Sequence, residues 1–292
     1  MKLLRSIVDD LKNYQTTETA PVMGTYRGYD IASMPPPSSG GVHVIQMLNI
    51  LETYPLSFLG HNSAESIHLM AEAMRLAYAD RSEHLGDPAF WSVPAKGLIS
   101  KSYAQDLAKK INRYNATDSK TISAGDPSDY ESEETTHFSV VDKYGNAVSN
   151  TYTLNFSFGT GLVAKETGII LNNEMGDFSA KPGTANAYGL IGGEANAVQA
   201  GKRPLSSMTP TLVLKNGQPL LVTGSPGGSR IITTVLQVIL NVIDHDMNIA
   251  EATHAHRVHH QWFPDILYYE KGFNHDTKLL LAGKGHTIKQ RG

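Results

Sequence analysis

Cysteine is absent from this 292-residue chain. That one absence excludes a disulfide scaffold, a thiolate nucleophile, thiolate zinc and iron–sulfur clusters. It leaves the compartment open, because an exported protein can simply lack cysteine. Long apolar runs are missing too. Nothing approaches the roughly 18 uninterrupted apolar residues of a membrane-spanning helix. The opening Met1-Lys-Leu-Leu-Arg-Ser-Ile-Val8 imitates an export signal, but Asp9 and Asp10 end its apolar run far too early. Charge is scarce at 18% of residues and nearly balanced, 25 Lys and Arg against 28 Asp and Glu. No basic field draws such a chain to nucleic acid or to an anionic membrane surface, so neither is predicted as a partner. What is present is apolar: hydrophobic residues make up 40%, enough for a sizeable core in one large domain or two smaller ones.

Along the chain, residues 1–20 read as a polar helix running into a loop. A short strand follows around Tyr26–Ala32, and Pro35-Pro-Pro-Ser-Ser-Gly-Gly41 then breaks regular structure. Val42–Leu51 reads as a buried helix. Ile67, Met70, Ala71, Met74, Leu76 and Ala77 keep close to a 3.6-residue period and predict another over 64–79. A third helix is predicted over 101–114. Residues 115–134 are polar and acidic, the composition of an exposed, mobile linker. After it the chain becomes strand-rich. One hairpin is predicted around Lys143-Tyr-Gly145 and another around Asn216-Gly217, the strongest short hairpin signal. A long apolar helix is predicted over 228–244. Strands interleaved with buried helices suggest layered α/β structure with antiparallel pairing. The chain stops at Gly292 just as a further strand begins.

The junction at Glu134–Thr135 is the most informative point, because there the acidic linker meets a strand opening on Thr135-Thr136. A threonine hydroxyl is a poor nucleophile until a base stands beside it, and one solution makes the threonine an N-terminus whose own α-amine is the base. That requires cutting the chain before the threonine. Read from the residues alone, the pair is simply a β-branched strand opening.

The stretch Glu134-Thr-Thr-His-Phe-Ser-Val-Val-Asp-Lys-Tyr-Gly-Asn-Ala-Val148 resembles the processing site of the gamma-glutamyltransferases (gamma-glutamyltranspeptidases). The resemblance continues through Thr151-Tyr-Thr-Leu-Asn-Phe-Ser-Phe-Gly-Thr-Gly161, Leu171-Asn-Asn-Glu-Met-Gly-Asp-Phe-Ser179, Lys202-Arg-Pro-Leu-Ser-Ser-Met-Thr-Pro210 and Gly224-Ser-Pro-Gly-Gly-Ser-Arg230. Upstream, Tyr26-Arg-Gly-Tyr29 and Ser33-Met-Pro-Pro-Pro-Ser-Ser-Gly-Gly41 belong to the same pattern.

The resemblance implies an α+β fold, the four-layer αββα sandwich of the N-terminal-nucleophile hydrolases, here incomplete. It implies a precursor that cuts itself between Glu134 and Thr135. Residues 1–134 would be the C-terminal part of a large subunit and 135–292 a small catalytic subunit lacking its end, the two staying associated as a heterodimer. Thr135 would be both processing and catalytic nucleophile, supported by the Thr153 hydroxyl. Gly227 and Gly228 would form the oxyanion hole. Asn155, Glu174 and Asp177 would hold the substrate α-amino group, and Ser206 and Ser207 its α-carboxylate. Lys181–Tyr188 resembles a lid with Tyr188 as its gate. Implied partners are glutathione and other γ-glutamyl compounds, with water, amino acids or dipeptides as acceptors. The family's arginine for the α-carboxylate falls in a part with no counterpart here, so the sequence names none. The implied location is periplasmic or secreted.

Read without the family, Gly224-Ser-Pro-Gly-Gly228 suggests a phosphate loop, but it lacks the Gly-Lys-Ser/Thr ending. His254, His256, His259 and His260 lie close enough to suggest metal, yet no acidic residue stands with them at ligand spacing. No cofactor and no metal are therefore predicted. Asn115-Ala-Thr and Asn155-Phe-Ser match the glycosylation pattern by chance. Two other readings are a sister acylase acting on another amide and an inactive remnant that binds γ-glutamyl compounds. Asn155, Asp177 and Ser206–Ser207 suit a free α-amino acid head and argue against the acylase.

Overall fold

The structure, a computed structural model, describes residues 12–123 and 136–291. Most of the helix predicted at the N-terminus lies outside them, and residues 14–21 form no regular element. The strand predicted near Tyr26 is in fact a hairpin, β1 (Val22–Tyr26) and β2 (Tyr29–Ser33). Its turn, Arg27-Gly28, takes φ of +48° and +82°, the sign a type I′ turn requires at both positions. After the proline run comes α1 (Gly40–Leu51), buried at every residue. The glycine pair does not precede this helix but forms its first turn. A Cβ on Gly40 would stand 2.4 Å from the Met208 carbonyl oxygen, and one on Gly41 2.4 Å from that of Met34. Only glycine lets the helix start so close to neighbouring backbone.

Next come α2 (Ala64–His84) and α3 (Lys101–Lys110), the latter ending four residues short of its predicted limit. Ser63 caps α2 by accepting the Ser66 amide (3.1 Å). Small and apolar side chains cover α2 nearly all round, which makes it a core helix and buries Glu72, Arg75 and Arg81 with it.

The predicted linker divides. Residues 115–123 are docked, not mobile: the Ala116 amide donates to the Lys284 carbonyl (2.7 Å) and Trp262 Nε1 to that of Ser119 (3.0 Å). Ser119 is fully buried, its amide held by Asp265 (2.8 Å) and its hydroxyl by Arg75. Residues 124–134 lie outside the described residues.

The second half opens with the hairpin β3 (Thr136–Val141) and β4 (Ala147–Tyr152), turning at Gly145 (φ +86°). A second hairpin, β5 (Thr211–Lys215) and β6 (Gln218–Thr223), turns on Asn216-Gly217 (φ +53° and +76°) as predicted. The strand order is β1-β2-β5-β6, antiparallel throughout, so each half of the chain supplies half of one sheet. Helix α4 (Arg230–Ile243) follows, then α5 (Ile249–His254), β7 (Val258–His259), β8 (Leu267–Tyr269), α6 (His275–Gly283) and β9 (Ile288–Gln290). The last strand, predicted to begin near the end, pairs parallel with β8.

Ile31, Val213 and Leu221 from the sheet join α1, α2 and α4 in one apolar cluster. The β3–β4 hairpin sits beside β6, tied by Ser139 Oγ to the Val222 carbonyl (3.2 Å) and Ser149 Oγ to that of Thr223 (2.8 Å). Among the described residues nothing covers its Phe138, Val140 and Val148, which stay exposed. Helices over sheet with antiparallel pairing make the fold α+β.

Candidate active site

The β4 strand delivers the chain into a narrow cleft lined by Arg81, Thr153, Asn155, Asp177, Tyr188, Ser206, Ser207 and Gly228. Seven positions singled out in the sequence thus converge from five separate segments. Glu134 and Thr135 lie outside the described residues. Gly227 and Glu174 flank the cleft through their neighbours Gly228 and Asp177.

Thr153 stands just past β4, and its Oγ1 accepts the Asn155 amide (2.8 Å). That bond holds Asn155 in the left-handed region (φ +76°) and buries its side chain. Asn155 Nδ2 donates to the Asn173 carbonyl (3.2 Å), linking it to the 3₁₀ turn Glu174–Asp177.

Asp177 Oδ1 is buried and accepts no hydrogen bond. Burial and, next to it, the charge of Glu174 push the Asp177 pKa up to about 8, against the pull of Arg81. Glu174 is raised as well, through burial. Two half-buried carboxylates with an unused acceptor atom form a site waiting for a cationic donor.

The serine side of the cleft is braced by the proline-rich motif. Ser206 pairs with Ser38 in a parallel bridge, its amide donating to the Pro37 carbonyl (2.9 Å) and its carbonyl accepting from the Ser39 amide (2.9 Å) and hydroxyl (2.8 Å). Ser38 Oγ donates to the Met208 carbonyl (2.7 Å). The Ser38-Ser39 pair therefore splints Ser206-Ser207-Met208 against the mouth of α1.

Gly227 and Gly228 precede α4 with φ of +126° and +51°. A Cβ on Gly228 would lie 2.5 Å from the Tyr188 ring, so the tyrosine packs directly on its backbone. Tyr188 is buried, its hydroxyl donating to Asn155 Oδ1, its carbonyl accepting from Gln261 Nε2 (3.0 Å). It closes the end of a tight loop in which the Asn186 amide donates to the Leu190 carbonyl (2.9 Å).

Arg81 was missed in the sequence because a charged residue on a helix ordinarily reads as solvated face. Its signal was the density of alanines around it on α2.

The C-terminal histidines do not converge. His254 Nδ1 bonds the Ala250 carbonyl, His259 bonds Thr233 and Gln261, and His260 bonds Asp265. A different trio, His68, Glu72 and His286, brings its donor atoms within 4.8 Å of one another. Each is accounted for without an ion: His68 Nδ1 and His286 Nε2 share a 2.8 Å hydrogen bond, His68 Nε2 reaches the Asn112 carbonyl (2.7 Å), and Glu72 takes Arg75 Nε (3.2 Å).

The architecture is that of the N-terminal-nucleophile hydrolases. It matches a cephalosporin acylase from Bacillus halodurans with a TM-score of 0.80 at 28% identity, over 97% of this chain and 48% of that one. The chain belongs to the gamma-glutamyltranspeptidase family, whose profile matches residues 7–292. It is 58% identical to the glutathione hydrolase proenzyme of Escherichia coli (strain K12) over 280 residues, 96% of this chain and 48% of that protein. A mutant of Helicobacter pylori gamma-glutamyltranspeptidase is 60% identical (TM-score 0.53) over 53% of this chain and 84% of that one. The chain spans about half the length of the curated relatives it matches.

Proposed function

We propose that this chain carries the catalytic part of a glutathione hydrolase and gamma-glutamyltransferase that cuts itself between Glu134 and Thr135. The observation that carries the reading is the cleft's polarity. An unpartnered carboxylate oxygen of Asp177 and the Ser206–Ser207 pair, backed by Arg81, belong to one cleft, a match for the α-ammonium and α-carboxylate of a γ-linked glutamate. The β3–β4 register supports the role of Thr135. It pairs Thr136 with Tyr152, and Thr135 precedes the one as Thr153 follows the other. An acylase for amides without an α-amino acid head would leave the Asp177 carboxylate unmatched.

In the mechanism the Thr135 α-amine takes the hydroxyl proton and Oγ attacks the γ-carbonyl carbon. The Gly227 and Gly228 amides stabilise the oxyanion, worth about 3 kcal/mol per donor in acyl transfer. The protonated amine passes its proton to the departing amine, cysteinylglycine when the substrate is glutathione. Water or an acceptor amine then attacks the γ-glutamyl ester, giving glutamate or a new γ-glutamyl amide and restoring Thr135. The two products of self-cleavage remain one heterodimer. The whole protein is proposed to work in the periplasm or outside the cell, as its family resemblance suggests; among the described residues no helix is long and apolar enough to cross a membrane.

The test is the intact mass of the purified chain followed by hydrolysis of γ-glutamyl-p-nitroanilide. Two fragments meeting at Glu134–Thr135 and release of nitroaniline are expected. A folded chain that stays whole and inert refutes the reading.

The pH dependence of binding is a second consequence. An ammonium group binds the Asp177 carboxylate but not the neutral acid, and with a pKa of about 8 the free site is largely protonated at pH 6. Affinity for L-glutamate should therefore rise with pH, about tenfold per unit below pH 8, and level off above it. Asp177→Asn should bind weakly with a flat profile. Calorimetry across pH 6–9 reads this directly, with protons released on binding below pH 8.

A further inference from the structure

Arg81 is 4% exposed and yet lines the cleft. Its Nε donates to Ser39 Oγ (2.9 Å) and its Nη2 to Ser207 Oγ (3.2 Å). A guanidinium carries donors only, so both hydroxyl oxygens act as acceptors toward it and each keeps its own proton to give elsewhere. Ser39 gives its proton to the Ser206 carbonyl (2.8 Å). Ser207 lines the cleft, so its proton is available to an anion there. Asp177 lines the same cleft and, once ionised, is a negative partner for the guanidinium. A fixed cation behind the serines, in one cleft with an acid that ionises as it meets an ammonium, gives the site a direction for an α-amino acid head.

We propose that Arg81 is a specificity-determining positioning residue, which through Ser39 and Ser207 makes the serine wall a hydrogen-bond donor to a ligand's α-carboxylate. The proposal rests on the γ-glutamyl reading above and assigns a part of it to a residue on α2. Lysine cannot replace it: an ammonium is a compact charge without the planar fork that spans two hydroxyls at once.

The experiment compares two anilides on the self-processed chain, γ-L-glutamyl-p-nitroanilide and 4-aminobutyryl-p-nitroanilide, which is the same amide without the α-carboxylate. The parent should prefer the first. In Arg81→Lys, KM for the γ-glutamyl anilide should rise about 10- to 100-fold, the range of one hydrogen bond to a charged group. Its kcat should hold within a few-fold and its KM for the 4-aminobutyryl anilide should barely move. Ser207→Ala leaves the arginine and its packing in place, so it carries the test even where Arg81→Lys folds poorly. It should lose the same discrimination, and the double variant should be no worse than either alone. Equal losses on both anilides, or a preference that survives both substitutions, overturn the role of Arg81 while leaving the γ-glutamyl reading intact. A parent with no preference for the α-carboxylate overturns both.

Discussion

Thr135→Ala should give a chain that stays whole and has no turnover. In the proposed mechanism the hydroxyl is needed twice, once to attack the Glu134 carbonyl during processing and once to attack the substrate. Alanine has nothing to offer at either step. The α-amine that serves as base, with an ordinary pKa of about 8, exists only after the first step, so loss of cutting removes both partners together. The rate should therefore fall by about 10⁴-fold or more, as when a member of a concerted catalytic unit is removed. Intact mass and anilide hydrolysis measure it, with circular dichroism to show that the variant is folded. Thr135→Ser, which keeps a hydroxyl and the amine, should retain both steps at reduced rate. Cutting at the same bond in Thr135→Ala would sink the assignment.

Arg75→Met should produce the largest loss of stability. Arg75 is buried with Glu72 (Nε to Oε1, 3.2 Å) and reaches both Asp265 and Ser119 through Nη1. One guanidinium therefore binds α2, the segment 115–123 and the approach to β8. Removing it leaves buried acceptors and an uncompensated carboxylate, at a cost of about 3–5 kcal/mol. In a protein of this size the melting temperature should drop by roughly 10 °C. The pH dependence has a definite sign. Although burial works against it, Asp265 is held well below the usual carboxylate range by His260, the Ser119 amide and Arg75. Stability from a depressed carboxylate is present above its unfolded pKa and lost as pH falls through the folded one. The deficit of Arg75→Met should therefore be complete at pH 7 and shrink below about pH 4. Thermal melts at both pH values check it. A melting temperature unchanged at pH 7 would show that the triad contributes nothing.

What was legible depended on whether the deciding partner lay nearby in sequence. Asn216-Gly217 announced its hairpin because both residues tolerate the positive φ that the turn imposes. Arg27-Gly28 makes a turn of the same sign, but arginine is no ordinary occupant of that conformation, so two strands read as one. Residues 115–123 looked like linker by composition. Their order comes from Arg75, Trp262, Asp265 and Lys284, none of them local. The proposed binding residues were legible only by resemblance, since a serine pair or an Asn in a loop has commonplace structural roles. Arg81 escaped because its meaning depends on what α2 packs against. The histidines misled in the opposite direction: close in sequence, they turn to different partners, while His68 and His286 meet from opposite ends of the chain.

The order β1-β2-β5-β6 carries a last consequence. The seam of that sheet joins Asp30–Ser33 to Thr211–Leu214, residues on opposite sides of the proposed cut. Before cutting, the seam forms within one molecule, and its closure entropy grows only slowly with the length of the connecting loop. After cutting, the same pairing is an encounter between two chains. Folding is first order in the precursor and reassembly is second order in the product. A protein cut at the proposed site would be held together by a structure it could build only once as a single chain, and dilution that leaves the precursor untouched would act directly against recovery of the cut pair.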